Sequence, residues 1–121
     1  MFRRALFALV LLAPLPARAH APRIGPRGGT LVDAGEYHVE VVVAGGALDV
    51  FVSDAQDRPL PATGFKGLAV VVSAGKPLRI PLTAVAPDRL SGGAGLVAGQ
   101  PLKGVIQLTA PDGKPASAKL E

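Results

Sequence analysis

Few side chains in this sequence can carry chemistry. Its 121 residues include two histidines, one tyrosine and no cysteine. The two imidazoles are His20 and His38, and Glu40 follows His38 by two residues, on the same face of any β-strand that holds them both. His20 comes directly after Ala17-Arg18-Ala19, a small-x-small pattern at which an export leader would be cut. Cleavage after Ala19 makes His20 the first residue. A terminal histidine offers its amine and its ring nitrogen together, a chelating pair suited to Cu(II). His38 would add the third nitrogen, and Glu40 would serve as a fourth ligand or as acceptor for an imidazole N–H. Two His and one Glu also suit Zn(II). A Cu(I) site is disfavoured, because the only methionine is Met1 and there is no thiol. The same residues have a plainer reading, in which His38 is an exposed strand residue with a solvated glutamate beside it. Cleavage after Ala21 would remove His20 and leave Pro22 at the start, a poor position for a peptidase.

Other chemistries lack their residues. No G-x-S-x-G elbow occurs, and although strand pairing sets Ser53 opposite His38, a Ser and a His facing each other across a strand pair are common by chance. The pairs Gly28-Gly29 and Gly92-Gly93 lead into no helix and no Lys-Ser/Thr, so no phosphate loop is formed. Without cysteine, thiol catalysis, disulfides and iron–sulfur clusters are excluded. A non-enzymatic protein is expected, with no catalytic residue and no cofactor other than the candidate metal.

The elements that must position these residues begin after a leader. Arg3 and Arg4 precede the apolar run 5–16, which is too short to span a bilayer as a helix. No Cys follows it to take a lipid. Residues 1–19 are therefore expected to be a signal peptide and the remainder to be periplasmic. The formal charge of +4 then needs revision. Removing Arg3, Arg4 and Arg18 leaves ten Lys and Arg against nine Asp and Glu, a net charge of +1. No basic run remains and aromatics are scarce, so a nucleic-acid partner is excluded.

Residues 20–29 read as an extended N-terminal arm, and 30–121 as one domain. From Thr30 onward, short β-branched runs alternate with turn signals at the interval typical of all-β folds. Residues 37–43 and 47–53 flank Gly45-Gly46, and a two-residue turn there sets Val43 against Leu48, Val41 against Val50 and Val39 against Val52. Those six side chains form one apolar face. His38, Glu40, Val42, Asp49, Phe51 and Ser53 share the other. Further strands are expected at 30–33, 66–73, 78–82, 88–91, 104–110 and 116–120, with Pro81 marking an edge or a bulge. The spacing predicts an immunoglobulin-like sandwich of seven to eight antiparallel strands, with a small closed barrel as the alternative.

The stretch from Gly28-Gly29 through Tyr37-His38-Val39-Glu40 resembles a family of small exported bacterial proteins associated with heavy-metal efflux. Gly64-Phe65-Lys66-Gly67, Arg89-Leu90-Ser91-Gly92 and Ala110-Pro111-Asp112-Gly113-Lys114 also look like that family. Similar sequences often carry His before the glycine pair, where this chain has Arg27. A looser similarity is to periplasmic copper-resistance sandwiches that begin with His-Ala, as His20-Ala21 would. This chain lacks their Met-rich loop and a third histidine. The resemblance implies an exported β-protein that handles a metal, copper or zinc, as an accessory of efflux or resistance. The alternative is an interaction module that docks on an envelope complex and holds no metal. Mass spectrometry of the exported protein is expected to find His20 at its N-terminus; Pro22 there would abolish the proposed brace.

Overall fold

Alternation of apolar and polar residues, broken by glycine turns, gives nine strands and no helix among the described residues. A computed structural model describes residues 22–120, so the leader and His20 lie outside the described residues. The strands are β1 (Arg23–Ile24), β2 (Thr30–Ala34), β3 (Tyr37–Ala44), β4 (Ala47–Ser53), β5 (Lys66–Ser73), β6 (Lys76–Val85), β7 (Arg89–Gly92), β8 (Lys103–Thr109) and β9 (Pro115–Leu120). All pairings are antiparallel, in the order β1-β2-β3-β4-β7-β6-β5-β8-β9. Ala34 of β2 also pairs with Ala118 of β9, and this contact closes the strands from β2 to β9 into an eight-stranded barrel.

The sandwich expectation is thereby corrected. A sandwich needs two sheets that face each other without a shared ladder. Here β7 pairs with β4 on one side and β6 on the other, and so joins what would have been the two sheets. The strand positions themselves follow the expected ones closely. The exception is β6, which runs through Pro81 for ten residues rather than ending beside it. Pro81 is matched with Leu68 of β5, while the ladder to β7 starts two residues later at Thr83. The ring therefore sits where β6 has no partner on its other side.

The β3–β4 hairpin has the register expected from its alternation, with Val39, Val41 and Val43 opposite Val52, Val50 and Leu48. Its inward residues join Val32, Ala69, Val71, Ile80, Leu82, Leu90, Ile106 and Leu108 in a filled interior. Each large aliphatic side chain so buried contributes about 1.5–3 kcal/mol relative to exposure. At the end that holds the β3–β4 turn, loop 93–102 crosses the mouth. The Leu96 N–H donates to the Gly46 carbonyl (2.9 Å), and its side chain is buried. At the opposite end Phe65 and Ala62 are buried, and the Phe65 ring meets Tyr37 edge-on at 5.5 Å. Tyr37 therefore packs at the strand entry, and its burial, followed by the charge of Glu36, pushes the phenol above its ordinary pKa. Side chains occupy the barrel axis, so recognition falls to the outer wall and the two ends.

Candidate functional site

The outer face of β3 and β4 carries the sequence-predicted residues, and the N-terminal arm folds over it. In the arm, the Gly25 N–H donates to the Gly29 carbonyl (2.8 Å) and the Gly28 N–H to the Gly25 carbonyl (2.9 Å), forming a closed loop. That loop lies on Glu40. Glu40 Oε2 accepts the backbone N–H groups of Arg27 (2.8 Å) and Gly29 (2.9 Å), and Oε1 accepts the Arg27 guanidinium at 3.2 Å. Contact is close enough to dictate composition. A Cβ on Gly25 would lie 2.4 Å from Glu40 Cδ, and one on Gly29 would lie 2.5 Å from the Val41 carbonyl. The Arg27 guanidinium stacks 3.8 Å above the Phe51 ring, a cation–π contact, and reaches toward Asp88 at 3.9 Å.

Glu40 thus departs from the solvated role of the plainer reading, and Asp49 is buried beside it on the same face. Both lie on the outer face, as alternation requires, yet Glu40 is 2% exposed and Asp49 8%. The arm covers Glu40 and satisfies its charge. Asp49 is held by the Ser91 hydroxyl, which donates to it at 2.6 Å. Burial of these carboxylates is tolerable because each accepts short, charge-assisted bonds.

His38 lies one strand rung away, between two other carboxylates. The Gly35-Glu36 turn makes Asp33 of β2 its cross-strand neighbour, and Nε2 stands 3.3 Å from Asp33 Oδ1. Nδ1 donates to Asp57 Oδ1 at 2.6 Å. Loop 54–58 presents Asp57 rigidly. Asp54 Oδ1 accepts the N–H groups of Gln56 and Arg58, both at 2.9 Å, and Asp57 adopts φ 62°. The Arg58 N–H above all, followed by that of Gln56, holds the Asp54 carboxyl below its ordinary pKa.

His38 and Glu40 therefore share a strand face but work in separate networks. The Glu40 carboxylate faces the arm, and the two ring nitrogens of His38 face opposite carboxylates. Among the described residues, no group of three His, Asp or Glu side chains converges to hold a metal ion. Ser53 is paired with His38, as the sequence predicts, but its hydroxyl donates to the His38 carbonyl (3.4 Å) rather than to the ring. Neither imidazole nitrogen is directed at it as a base. Asp33, Asp57 and Arg27 went unrecognised as partners in the sequence. A two-residue turn at Gly35-Glu36 would have revealed Asp33, whereas nothing local to Asp57 signals its contact.

Between the arm and loop 54–59 lies a groove of about 500 Å³. Its lining combines apolar Leu31, Phe51 and Pro59 with the charged Arg27, Glu40, Asp57 and Asp88. Comparisons with protein-family models, curated proteins and solved structures returned no match, so only the chain's own geometry bears on this site.

Replacing Glu40 with Ala strips two backbone donors of their acceptor and is expected to cost about 2–4 kcal/mol in chemical denaturation. Hydrogen exchange should then show the Arg27 and Gly29 amides unprotected while β5 and β8 stay protected. Gly25→Ala, which drives a methyl into Glu40, should loosen the same two amides.

Proposed function

We propose that the protein is an exported, non-enzymatic interaction module that docks on an envelope partner through the groove beside Phe51. The observation that carries this reading is the groove's composition. Apolar Leu31, Phe51 and Pro59 line it beside the exposed carboxylate of Asp57 and the half-buried one of Asp88, and Arg27, paired with Glu40, forms its other wall. Such a surface suits a partner segment with one apolar side chain followed by a basic residue. Two further features favour binding over turnover. Side chains fill the barrel interior, and the lone described imidazole has a carboxylate at each nitrogen.

Short peptides pairing Leu or Phe with Lys or Arg are expected to shift the amide resonances around Leu31, Phe51 and Pro59 saturably. Matched acidic peptides should not, and Leu31→Ser should weaken the response several-fold. Equal responses to basic and acidic peptides would refute the reading.

A metal-handling role is the second reading, and the carboxylate–histidine contact favours it. Asp57 fixes the His38 ring through Nδ1 at 2.6 Å, the kind of restraint that orients ligating imidazoles, and Asp33 is the more distant partner at 3.3 Å. In that reading the amine and ring of His20 would join His38 at Nε2 to hold Cu(II) or Zn(II), within an accessory of metal efflux. Glu40 would stay with the arm and act only indirectly. Copper titration followed by electron paramagnetic resonance should give a nitrogen-rich spectrum that changes in His38→Ala; the same spectrum in both proteins would dismiss His38 as a ligand.

A further inference from the structure

The near-neutral charge of the domain conceals an uneven distribution along the barrel axis, with exposed carboxylates confined to one end among the described residues. At the end crossed by loop 93–102, cations rim the mouth. Lys76 lies at the tip of the β5–β6 hairpin, Lys103 is paired with Val72, Lys119 is paired with Val105, and Arg23 is next to Ile24. All four are exposed, and none forms an ion pair with a described residue. The one described carboxylate at this end is Asp49, which is buried and bonded to Ser91. At the opposite end the exposed Glu36, Asp57 and Asp112 and the half-buried Asp33, Asp54 and Asp88 outnumber the cations Arg58, Lys66, Arg89 and Lys114.

Apolar side chains project from the same cationic end. Ile24 is 85% exposed, Val97 58% and Val72 43%, each on a different element. Register puts Ile24 beside Thr30 and Val72 beside Lys103, while Val97 lies next in sequence to Leu96, whose N–H bonds Gly46. No other described large hydrophobic side chain exceeds Val72 in exposure.

From this arrangement we infer that the cationic end of the barrel docks on an anionic phospholipid surface. Single apolar tips on separate elements, ringed by lysines and free of exposed carboxylates among the described residues, fit a fluid interface that closes around each tip. A protein partner would need a matched pocket for every tip. The lysine stems lie along the apolar surface and their ammonium groups meet the phosphates. The acidic end then points away from the membrane, together with loop 54–58 and Asp88 at the edge of the groove, so that a partner reaches the groove from the aqueous side. This docking stands independently of what the groove binds.

Vesicle co-sedimentation with the protein in its exported form provides the test. Binding is expected to vesicles containing phosphatidylglycerol and not to phosphatidylcholine alone, and it should weaken as salt screens the charges. The combined variant Lys76→Glu, Lys103→Glu, Lys119→Glu should lose binding by at least about tenfold, since each removed cation costs on the order of fivefold near an anionic surface. Val97→Asp should lose binding several-fold. Lys66→Glu with Lys114→Glu, at the opposite end, should bind like the parent, and circular dichroism should show the same strand content in every variant. Equal binding to neutral vesicles, or parental binding by the triple variant, would overturn the proposal. Loss of vesicle binding alongside capture of polyglutamate by the same lysines would overturn it in favour of an acidic protein partner.

Discussion

A single buried carboxylate decides how the chain before the barrel is arranged. Glu40 projects from the outer face of β3, where strand alternation would normally leave it in water. Two backbone N–H groups and a guanidinium meet it there instead. With the charge satisfied, the five-residue loop from Gly25 to Gly29 has a fixed seat. Arg27 is then in position to cover Phe51, and Pro26 and Arg27 become one wall of the groove. Remove the carboxylate and the arm has no comparable anchor, because β1 is two residues long. The interaction also explains residue choices that look like low-complexity filler. Gly25 and Gly29 are small because the loop approaches β3 closely enough for any Cβ to collide.

The barrel supplies the rigid surface this arrangement needs. Its interior is packed with Val, Leu and Ile, and both mouths are covered, by Leu96 at one end and by Phe65 and Ala62 at the other. The features outside the filled interior are additions to the wall: an arm held by Glu40, a loop braced by Asp54, and an end from which Ile24, Val72 and Val97 project. His38 belongs to this outer layer. Its contacts with Asp33 and Asp57 tie β2, β3 and loop 54–58 together, so it acts as a structural strut whatever else it binds.

What could be read in the sequence follows the range of the forces involved. The β3–β4 hairpin was legible because Val39, Val41, Val43, Leu48, Val50 and Val52 alternate with polar residues around two glycines, and a register slip would bury charges. Strand positions were legible for the same reason. Barrel closure was not. It rests on the Ala34–Ala118 match and on β7 pairing with both neighbours, and short strands separated by turns look alike in a sandwich and in a barrel. Glu40 seemed a solvated residue because its partners are backbone N–H groups, which carry no side-chain signature. The Asp57 contact was hidden similarly, since it depends on a left-handed residue in a loop nineteen positions from His38.

Closure through Ala34 and Ala118 has a bearing on when the fold can form. The two residues lie near opposite ends of the chain, so the last ladder cannot be made until β9 exists. Joining such distant segments carries a high loop-closure entropy and slows folding. The closing ladder therefore depends on the last of the described strands, so the β3–β4 and β5–β6 hairpins are complete in the chain before the ring can shut.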